Sequence, residues 1–289
     1  MKIVKILGGL GNQMFQYALA VSLKKKFPNE SVKIDTSCFH GYPLHNGYEL
    51  ERLFNVSIPH ASYREIAKLA YPFYHYRLWQ IGKRILPQRQ TMVSEKPNGE
   101  YDNSILSTIG SCYYDGYWQN EKYFIGVKEE IVKAFTPKNI DAKNECYAQM
   151  LSACNSVSLH VRRGDYVKNP LYGGICDEEY YVSAIKNILE QTYVEFFCVF
   201  SNDIDWCKRH LLKLVENKPI EYVDWNTKSD SYKDMYLMSH CRHNIIANSS
   251  FSWWGAWLNC NKNNIVICPR KWNNIKNAKF EIPEKWQTI

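Results

Sequence analysis

Ile3-Val4-Lys5-Ile6-Leu7-Gly8-Gly9-Leu10-Gly11-Asn12-Gln13 decides how the amino-terminal part of this chain folds. The apolar run to Leu7 reads as a buried strand and the glycines as a turn, while Met14 to Phe27 carries Phe15, Ala18, Leu19 and Ser22 at helical spacing. Strand, glycine-rich turn and helix make a Rossmann-type opening. Val32-Lys33-Ile34-Asp35 then gives a second strand ending in an acid, where a dinucleotide fold puts its ribose contact. An NAD(P)-dependent oxidoreductase is therefore one reading. Its fingerprint asks for a third small residue after Gly9-x-Gly11-x-x, and Met14 stands there, too bulky for close helix-to-strand packing. What remains is a turn in which Gly9 and Gly11 let the backbone approach a ligand, with the Asn12 and Gln13 amides near a helix amino terminus.

Further along, Asn155-Ser156-Val157-Ser158-Leu159 alternates into His160-Val161-Arg162-Arg163-Gly164-Asp165-Tyr166. The period of two predicts a strand, and the glycine ends it, so two arginines stand at a strand's carboxyl end. Ligands bind at that edge of an open α/β sheet, and guanidinium groups match phosphate oxygens. The motif reads as a phosphate clamp for a nucleotide-linked donor. Adjacent arginines beside an aspartate also occur as ordinary solvated ion pairs, which contribute little.

The second strand-to-helix turn that matters is Asn248-Ser249-Ser250-Phe251-Ser252, after a short strand Asn244 to Ala247 and before a helix Trp253 to Leu258. Serine hydroxyls and the free amides of a helix start make an uncharged anion cradle, which the two arginines would face together. Between these motifs, strand Phe196 to Phe200 leads into Ser201-Asn202-Asp203-Ile204-Asp205. Asp203-x-Asp205 imitates a manganese motif, but an acid here also caps the helix Ile204 to Val215. Asn202 or Asp203 is expected to contact the nucleotide, and Asp205 is not. His240 and His243 lack the companion acids or cysteines of a metal site, and none is assigned.

From Cys38 to Pro97 the pattern is irregular and rich in aromatics. Leu69, Phe73, Tyr76 and Gln80 fall at helical spacing and read as packing. Asp115-Gly116-Tyr117-Trp118-Gln119-Asn120 reads as the rim of a carbohydrate site, with a core role for Trp118 as its rival. Thr136-Pro137-Lys138-Asn139 breaks a helix and separates two lobes, 1–137 and 138–270, and a tail 271–289 is expected to cross back to the first.

The 289 residues suit two domains, and the net charge of +7 lies in short clusters such as Lys24-Lys25-Lys26. That fits an anionic ligand or weak attraction to an acidic membrane and is too modest for nucleic acid. The opening apolar run is too short for a signal or a span, so a cytoplasmic protein is expected. The ten cysteines, with no Cys-x-x-Cys pair, read as small buried hydrophobes rather than bridges or zinc ligands.

Gly8-Gly9-Leu10-Gly11-Asn12-Gln13-Met14-Phe15-Gln16, His160 to Tyr166, Ser201-Asn202-Asp203 and Ile245-Ile246-Ala247-Asn248-Ser249-Ser250-Phe251-Ser252-Trp253-Trp254 together resemble the bacterial α-1,2-fucosyltransferases, family 11 of the glycosyltransferases. The resemblance runs from near residue 3 to about residue 260. It implies an α/β fold of two Rossmann-like lobes in a GT-B-like architecture, GDP-β-L-fucose as donor, and a galactose-terminated oligosaccharide or lipid-linked glycan as acceptor. The linkage would invert to α, with no obligatory metal or other cofactor and with peripheral contact to the inner membrane left open. His160 and Asn202 or Asp203 would lie near base or ribose, and Arg162 would hold the β-phosphate beside Arg163. Ser249, Ser250, Phe251 and Ser252 would surround the diphosphate, and Asn12 would reach it from the first lobe. Asp35, Trp118 and Gln119 are the acceptor-side expectations. For the general base, Asp165 leads over Asp35 and Glu49, and a dissociative path needs none. A non-catalytic glycan-binding module is the remaining alternative.

Overall fold

A computed structural model describes residues 1–215 and 218–289. The chain divides into two compact units, Met1–Lys138 with Lys279–Glu281, and Asn139–Ala278 with Ile282–Ile289. Each is built on a parallel sheet, which requires helical crossovers and strands buried on both faces.

In the first unit the elements run β1 (Lys2–Lys5), α1 (Leu10–Lys26), β2 (Val32–Asp35), α2 (Leu50–Leu53), α3 (Tyr63–Leu69), α4 (Tyr76–Ile85), β3 (Met92–Ser94), β4 (Cys112–Asp115) and α5 (Lys128–Ala134). The sheet order is β2-β1-β4-β3, all parallel. Even the lysines of β1 are buried. Lys2 donates to the carbonyls of Thr108 and Gly110, and Lys5 lies 3.9 Å from the centre of the Trp79 ring.

Helix α1 starts at Leu10, four positions before the expected Met14, so Gly11, Asn12 and Gln13 belong to its first turn. The turn itself is Gly8, whose φ of +100° suits glycine alone, followed by Gly9 as the N-cap. Two buried amides explain the early start. Gln13 donates to the carbonyls of Gly8 (2.9 Å) and Gly47 (2.8 Å) and accepts from Glu49 N–H (3.0 Å). Gln16 accepts from Leu7 N–H (2.8 Å) and donates to Gly116 C=O (3.0 Å). Loop groups that would otherwise be orphaned are thus satisfied from the helix.

The helical spacing through Leu69, Phe73, Tyr76 and Gln80 does not make one helix. α3 stops at Leu69, Pro72 interrupts, and α4 begins at Tyr76. Packing is nonetheless the outcome: Phe73 lies against Gly82, where an added Cβ would sit 2.4 Å from its ring.

The second unit runs α6 (Ala142–Ala153), β5 (Ser156–Val161), α7 (Glu178–Gln191), β6 (Phe196–Ser201), α8 (Ile204–His210), β7 (Ile220–Val223), α9 (Tyr232–His240), β8 (His243–Ile245), α10 (Ser250–Trp257), β9 (Val266–Cys268) and β10 (Gln287–Thr288). The sheet order is β10-β9-β8-β5-β6-β7, again all parallel. Val157, Leu159 and Val161 of β5 pack with Tyr181, Ile185 and Ile188 of α7, while Cys198 and Phe200 of β6 meet Leu151, Leu237 and Met238. Both helices after the motifs differ from expectation: α8 ends at His210, and α10 starts at Ser250 because the Ser249 hydroxyl accepts from Phe251 N–H.

The tail is divided. Lys279 pairs with Glu100 (2.6 Å) and Glu281 with Lys122 (2.6 Å) in the first unit, and β10 then closes the edge of the second sheet on β9. Among the described residues no helix is long and apolar enough to cross a membrane.

Candidate functional site

The chain lays β5, β6 and β7 side by side and then returns to the opposite flank of β5 with β8. The carboxyl ends of β5 and β8 therefore bound the topological switch point of this sheet, where open α/β folds bind ligands. His160, Arg162 and the Ser249 turn stand at those two ends.

Alternation along the strand end sends neighbours to opposite sides. His160 is buried, its ring 5.9 Å from Phe251 at the start of α10. Burial, and then the charge of Arg162, push its imidazole down to about 3, so it is neutral near pH 7. Its Nδ1 is buried with no hydrogen-bond partner. Arg162 donates to Asp165 Oδ1 (2.8 Å) and sits 5.5 Å from the centre of the Tyr166 ring. Its Nε is likewise buried and without a partner. Tyr166 hydrogen-bonds Ser249, tying the arginine loop to the start of α10, and stacks on Tyr172 at 4.9 Å. Unpaired buried polar atoms are rare in folded proteins. Two lie at this switch point: the Arg162 Nε is a donor, and the His160 Nδ1 is donor or acceptor according to tautomer.

Arg163 has a different set of partners. Its Nε donates to Asp203 Oδ2 (3.3 Å), and its guanidinium lies 4.2 Å from the Trp206 ring centre, with His210 stacked behind at 4.6 Å. The expectation that both guanidiniums face the serine turn therefore needs correction: Arg162 is on the α10 side, and Arg163 is held against α8. Asn202 and Asp203 are also occupied locally. Asn202 Oδ1 accepts from Arg163 N–H (2.9 Å), and Asp203 Oδ1 caps α8 through Trp206 N–H (3.1 Å).

The serines divide as well. Ser249 is the cap of α10 and Ser250 is half-buried at its first position. Ser252 is buried and donates to the carbonyls of Ala247 (3.5 Å) and Ser249 (3.3 Å), so its hydroxyl serves the turn.

In the first unit, the residues expected on the acceptor side are placed as follows. Asn12 Oδ1 accepts from Gln119 Nε2 (2.7 Å), both half-buried, beside the glycine turn of Gly9 and Gly11. Trp118 is fully buried, at a left-handed φ of 57°, and packs edge-on against Tyr114 and Tyr123. It is a core residue, because its backbone turns the ring inward. Asp35 is buried too, accepting from Tyr113 O–H (2.6 Å) and Ser37 N–H (2.8 Å), which leaves it holding the end of β2. Of the base candidates, Glu49 is buried and paired with Arg52 (2.7 Å), and Asp165 is half-exposed and paired with Arg162. Sequence reasoning missed Lys5, Lys83 and Glu95, which gather with Asp115 of the expected carbohydrate rim at the carboxyl ends of β1 and β4; Glu95 stands in no pattern that marks it. Among the described residues no group of three His, Cys, Asp or Glu side chains is arranged to hold a metal.

Comparison with known proteins agrees with this geometry. Residues 1–288 match glycosyl transferase family 11. The chain is similar to the alpha-1,2-colitosyltransferase of Escherichia coli, at 36% identity over 99% of this chain and 98% of that one. It is also similar to the galactoside 2-alpha-L-fucosyltransferase Sec1 of Mus musculus, at 22% identity over 88% of this chain and 63% of that one. Among solved structures, an Arabidopsis thaliana FUT1 variant in complex with GDP matches with a TM-score of 0.51 and 11% identity, covering 92% of this chain and 70% of that one. Two parallel α/β units of the GT-B type and a match along the whole sequence lead to one statement: this chain belongs to glycosyl transferase family 11 and is a glycosyltransferase.

Proposed function

We propose that the enzyme transfers L-fucose from GDP-β-L-fucose to the 2-hydroxyl of a galactosyl acceptor, with inversion, during surface-glycan synthesis. The observation that carries this reading is the buried, unpartnered Nε of Arg162 beside the capped start of α10. A diphosphate supplies the acceptor that this nitrogen lacks, next to the positive end of α10. The neutral His160, with an open Nδ1 next to Phe251, fits the edge and face of a nucleobase or its ribose.

The chemistry follows from charge. The bond between the sugar C1 and the phosphate oxygen breaks, C1 bonds to the acceptor oxygen, and the hydroxyl proton leaves to base or solvent. Negative charge grows on the β-phosphate as the bond lengthens, and a donor fixed beforehand favours that state over the ground state. Asp165 and Tyr166 fix Arg162 in this way. Asp165, already paired with Arg162, acts as an orienting group for it rather than as the base. With a cation and a helix start at the diphosphate, the reaction needs no divalent metal.

One observation favours a second donor. The full-length similarity to an alpha-1,2-colitosyltransferase points to colitose, which differs from fucose by lacking the 3-hydroxyl. GDP, GDP-fucose and the colitose donor are to be compared by thermal shift, followed by turnover on lactose and on β-1,3-galactosyl acceptors. GDP-fucose turnover with a galactoside is the expected result. Transfer of colitose alone would replace the donor assignment, and no thermal response to GDP would remove the reading. Nicotinamide binding would revive the oxidoreductase alternative, and glycan binding with no nucleotide dependence the non-catalytic one.

A further inference from the structure

The first unit has a switch point of its own. The chain steps from β1 outward to β2 and then returns to the other side of β1 through β3 and β4. A cavity of about 260 Å³ opens at the carboxyl ends of β1 and β4, with Lys5, Trp79, Lys83, Glu95, Asp115 and Tyr117 in its wall.

The charges in this wall decide what it accepts. Asp115 lies 3.2 Å from Lys5 and 3.1 Å from Lys83. Burial alone would raise its carboxyl, and the two ammonium groups outweigh that and hold it below the usual range. Asp115 offsets one of the two positive charges, and the Glu95 carboxylate in the same wall offsets the other. Lys96, at the rim, lies 3.7 Å from Glu100 and from Asp102. Glu95 is different. It accepts from the N–H groups of Tyr117 (2.7 Å) and Trp118 (2.8 Å) and forms no salt bridge among the described residues. Burial pushes its carboxyl up despite those backbone bonds. The Gln119 backbone N–H is a third donor to it, so of the carboxylate's four acceptor positions one is left for a ligand hydroxyl.

Two further groups complete the wall. Trp79 is fully buried, and its Nε1–H is an orphan donor. Tyr117 is 44% exposed, presenting a ring at the mouth. A wall whose charges balance favours a ligand without net charge, a carboxylate with an acceptor position left takes a hydroxyl donor, and an exposed phenol ring takes a C–H face. The volume is below the roughly 300 Å³ at which pockets for drug-sized ligands begin.

We propose that this cavity is a subsite for one uncharged pyranose ring, with Glu95 as its hydroxyl anchor and Tyr117 as its stacking face. As the acceptor subsite of a glycosyltransferase it rests on the function proposed above; as a sugar site it does not.

The test uses the full chain and methyl β-D-galactopyranoside. Binding is read by saturation-transfer NMR and by tryptophan fluorescence, in wild type, Glu95→Gln and Tyr117→Ala. Because Glu95→Gln disturbs a loop, the mouth variant provides the independent arm, and the melting shift with GDP reports that the second unit is intact. Expected are millimolar binding to wild type and a loss of about tenfold or more in each variant, with the GDP shift unchanged. The proposal is overturned by no saturation transfer at tens of millimolar sugar, by unchanged affinity in both variants, or by tighter binding of glucuronate than of the neutral sugar. Sugar binding that both variants lose, in a protein whose melting ignores GDP, upholds the subsite and removes the nucleotide-sugar reading instead.

Discussion

Arg162→Lys, set against Arg163→Lys, tests the division of labour between two adjacent arginines. Lysine keeps the charge at 162 but has no Nε and no planar fork, and so loses the buried donor that has no protein partner. Removing one preorganised donor from a developing oxyanion costs about a hundredfold to a thousandfold in turnover, or about 2.7–4 kcal/mol. Retention of the positive charge puts the expected loss at the lower end, about a hundredfold in kcat. At 163 the guanidinium is ion-paired with a partly exposed Asp203 and stacked on Trp206, with side-chain exposures of 25% and 36% for the pair. Such a pair contributes about 1 kcal/mol or less, and lysine keeps part of it. Turnover of Arg163→Lys should therefore stay within about tenfold of wild type. The assay is GDP release at saturating donor with lactose, with GDP affinity by calorimetry and Tm measured in parallel. If Arg163→Lys loses more turnover than Arg162→Lys while both melt like wild type, the assignment of the two side chains is reversed and the reasoning fails.

Three further outcomes follow from the same structure. Burial pushes the carboxyl of Asp234 up to about 7, against the Asn226 amide that favours its charge. An acid whose pKa is raised on folding takes away stability as pH climbs from about 4 through 7. Asp234→Asn should thus be more stable than wild type at pH 8 by on the order of 4 kcal/mol, with the gap closing toward pH 4 in urea unfolding; a constant gap would contradict the assignment. Gln16→Leu strands the N–H of Leu7 and the carbonyl of Gly116, each a buried group worth about 1–3 kcal/mol when unsatisfied, so Tm should fall by several degrees while GDP affinity stays. An unchanged Tm would show that the amide is not a clamp. Turnover in excess chelator should equal turnover without it, and activity lost to chelation and restored by manganese would defeat the metal-independent mechanism.

How much of this was legible in the sequence depends on whether a feature is periodic or tertiary. β5 and its turn are local: alternation to Val161 followed by Gly164 fixes a strand end, and the fold type follows from repeating strand and helix. The same alternation already implied that Arg162 and Arg163 point to opposite sides, a consequence that reading the pair as one clamp overlooked. Leu10 was misplaced because Gly11 and Asn12 look like turn residues, whereas the helix there is stabilised by Gln13 and Gln16 reaching loops far away in sequence. Trp118 was ambiguous for a related reason: nothing in an aromatic turn announces that a left-handed φ will turn the ring inward. Glu95 was invisible, since its significance comes from the backbone amides of residues 117 and 118.

The two units apply one architectural rule to opposite chemistry. Each parallel sheet has a switch point, and each switch point gathers buried polar groups with hydrogen-bonding capacity left over. In the second unit those groups are a cationic donor and a neutral ring: the Arg162 Nε and an uncharged imidazole. A donor-rich, cationic crevice stabilises oxyanions and has little use for a neutral hydroxyl. In the first unit the charges of Lys5 and Lys83 are balanced by Asp115 and Glu95, and the Glu95 carboxylate keeps an acceptor position for a hydroxyl donor. A glycosyltransferase needs both chemistries, because its leaving group is an anion and its nucleophile is an alcohol. Were the Arg162 Nε merely a packing defect, replacing it with an apolar isostere would raise stability without touching GDP binding; were Glu95 only a clamp for its loop, Glu95→Gln would lower Tm without touching sugar binding. The two sites predict the reverse.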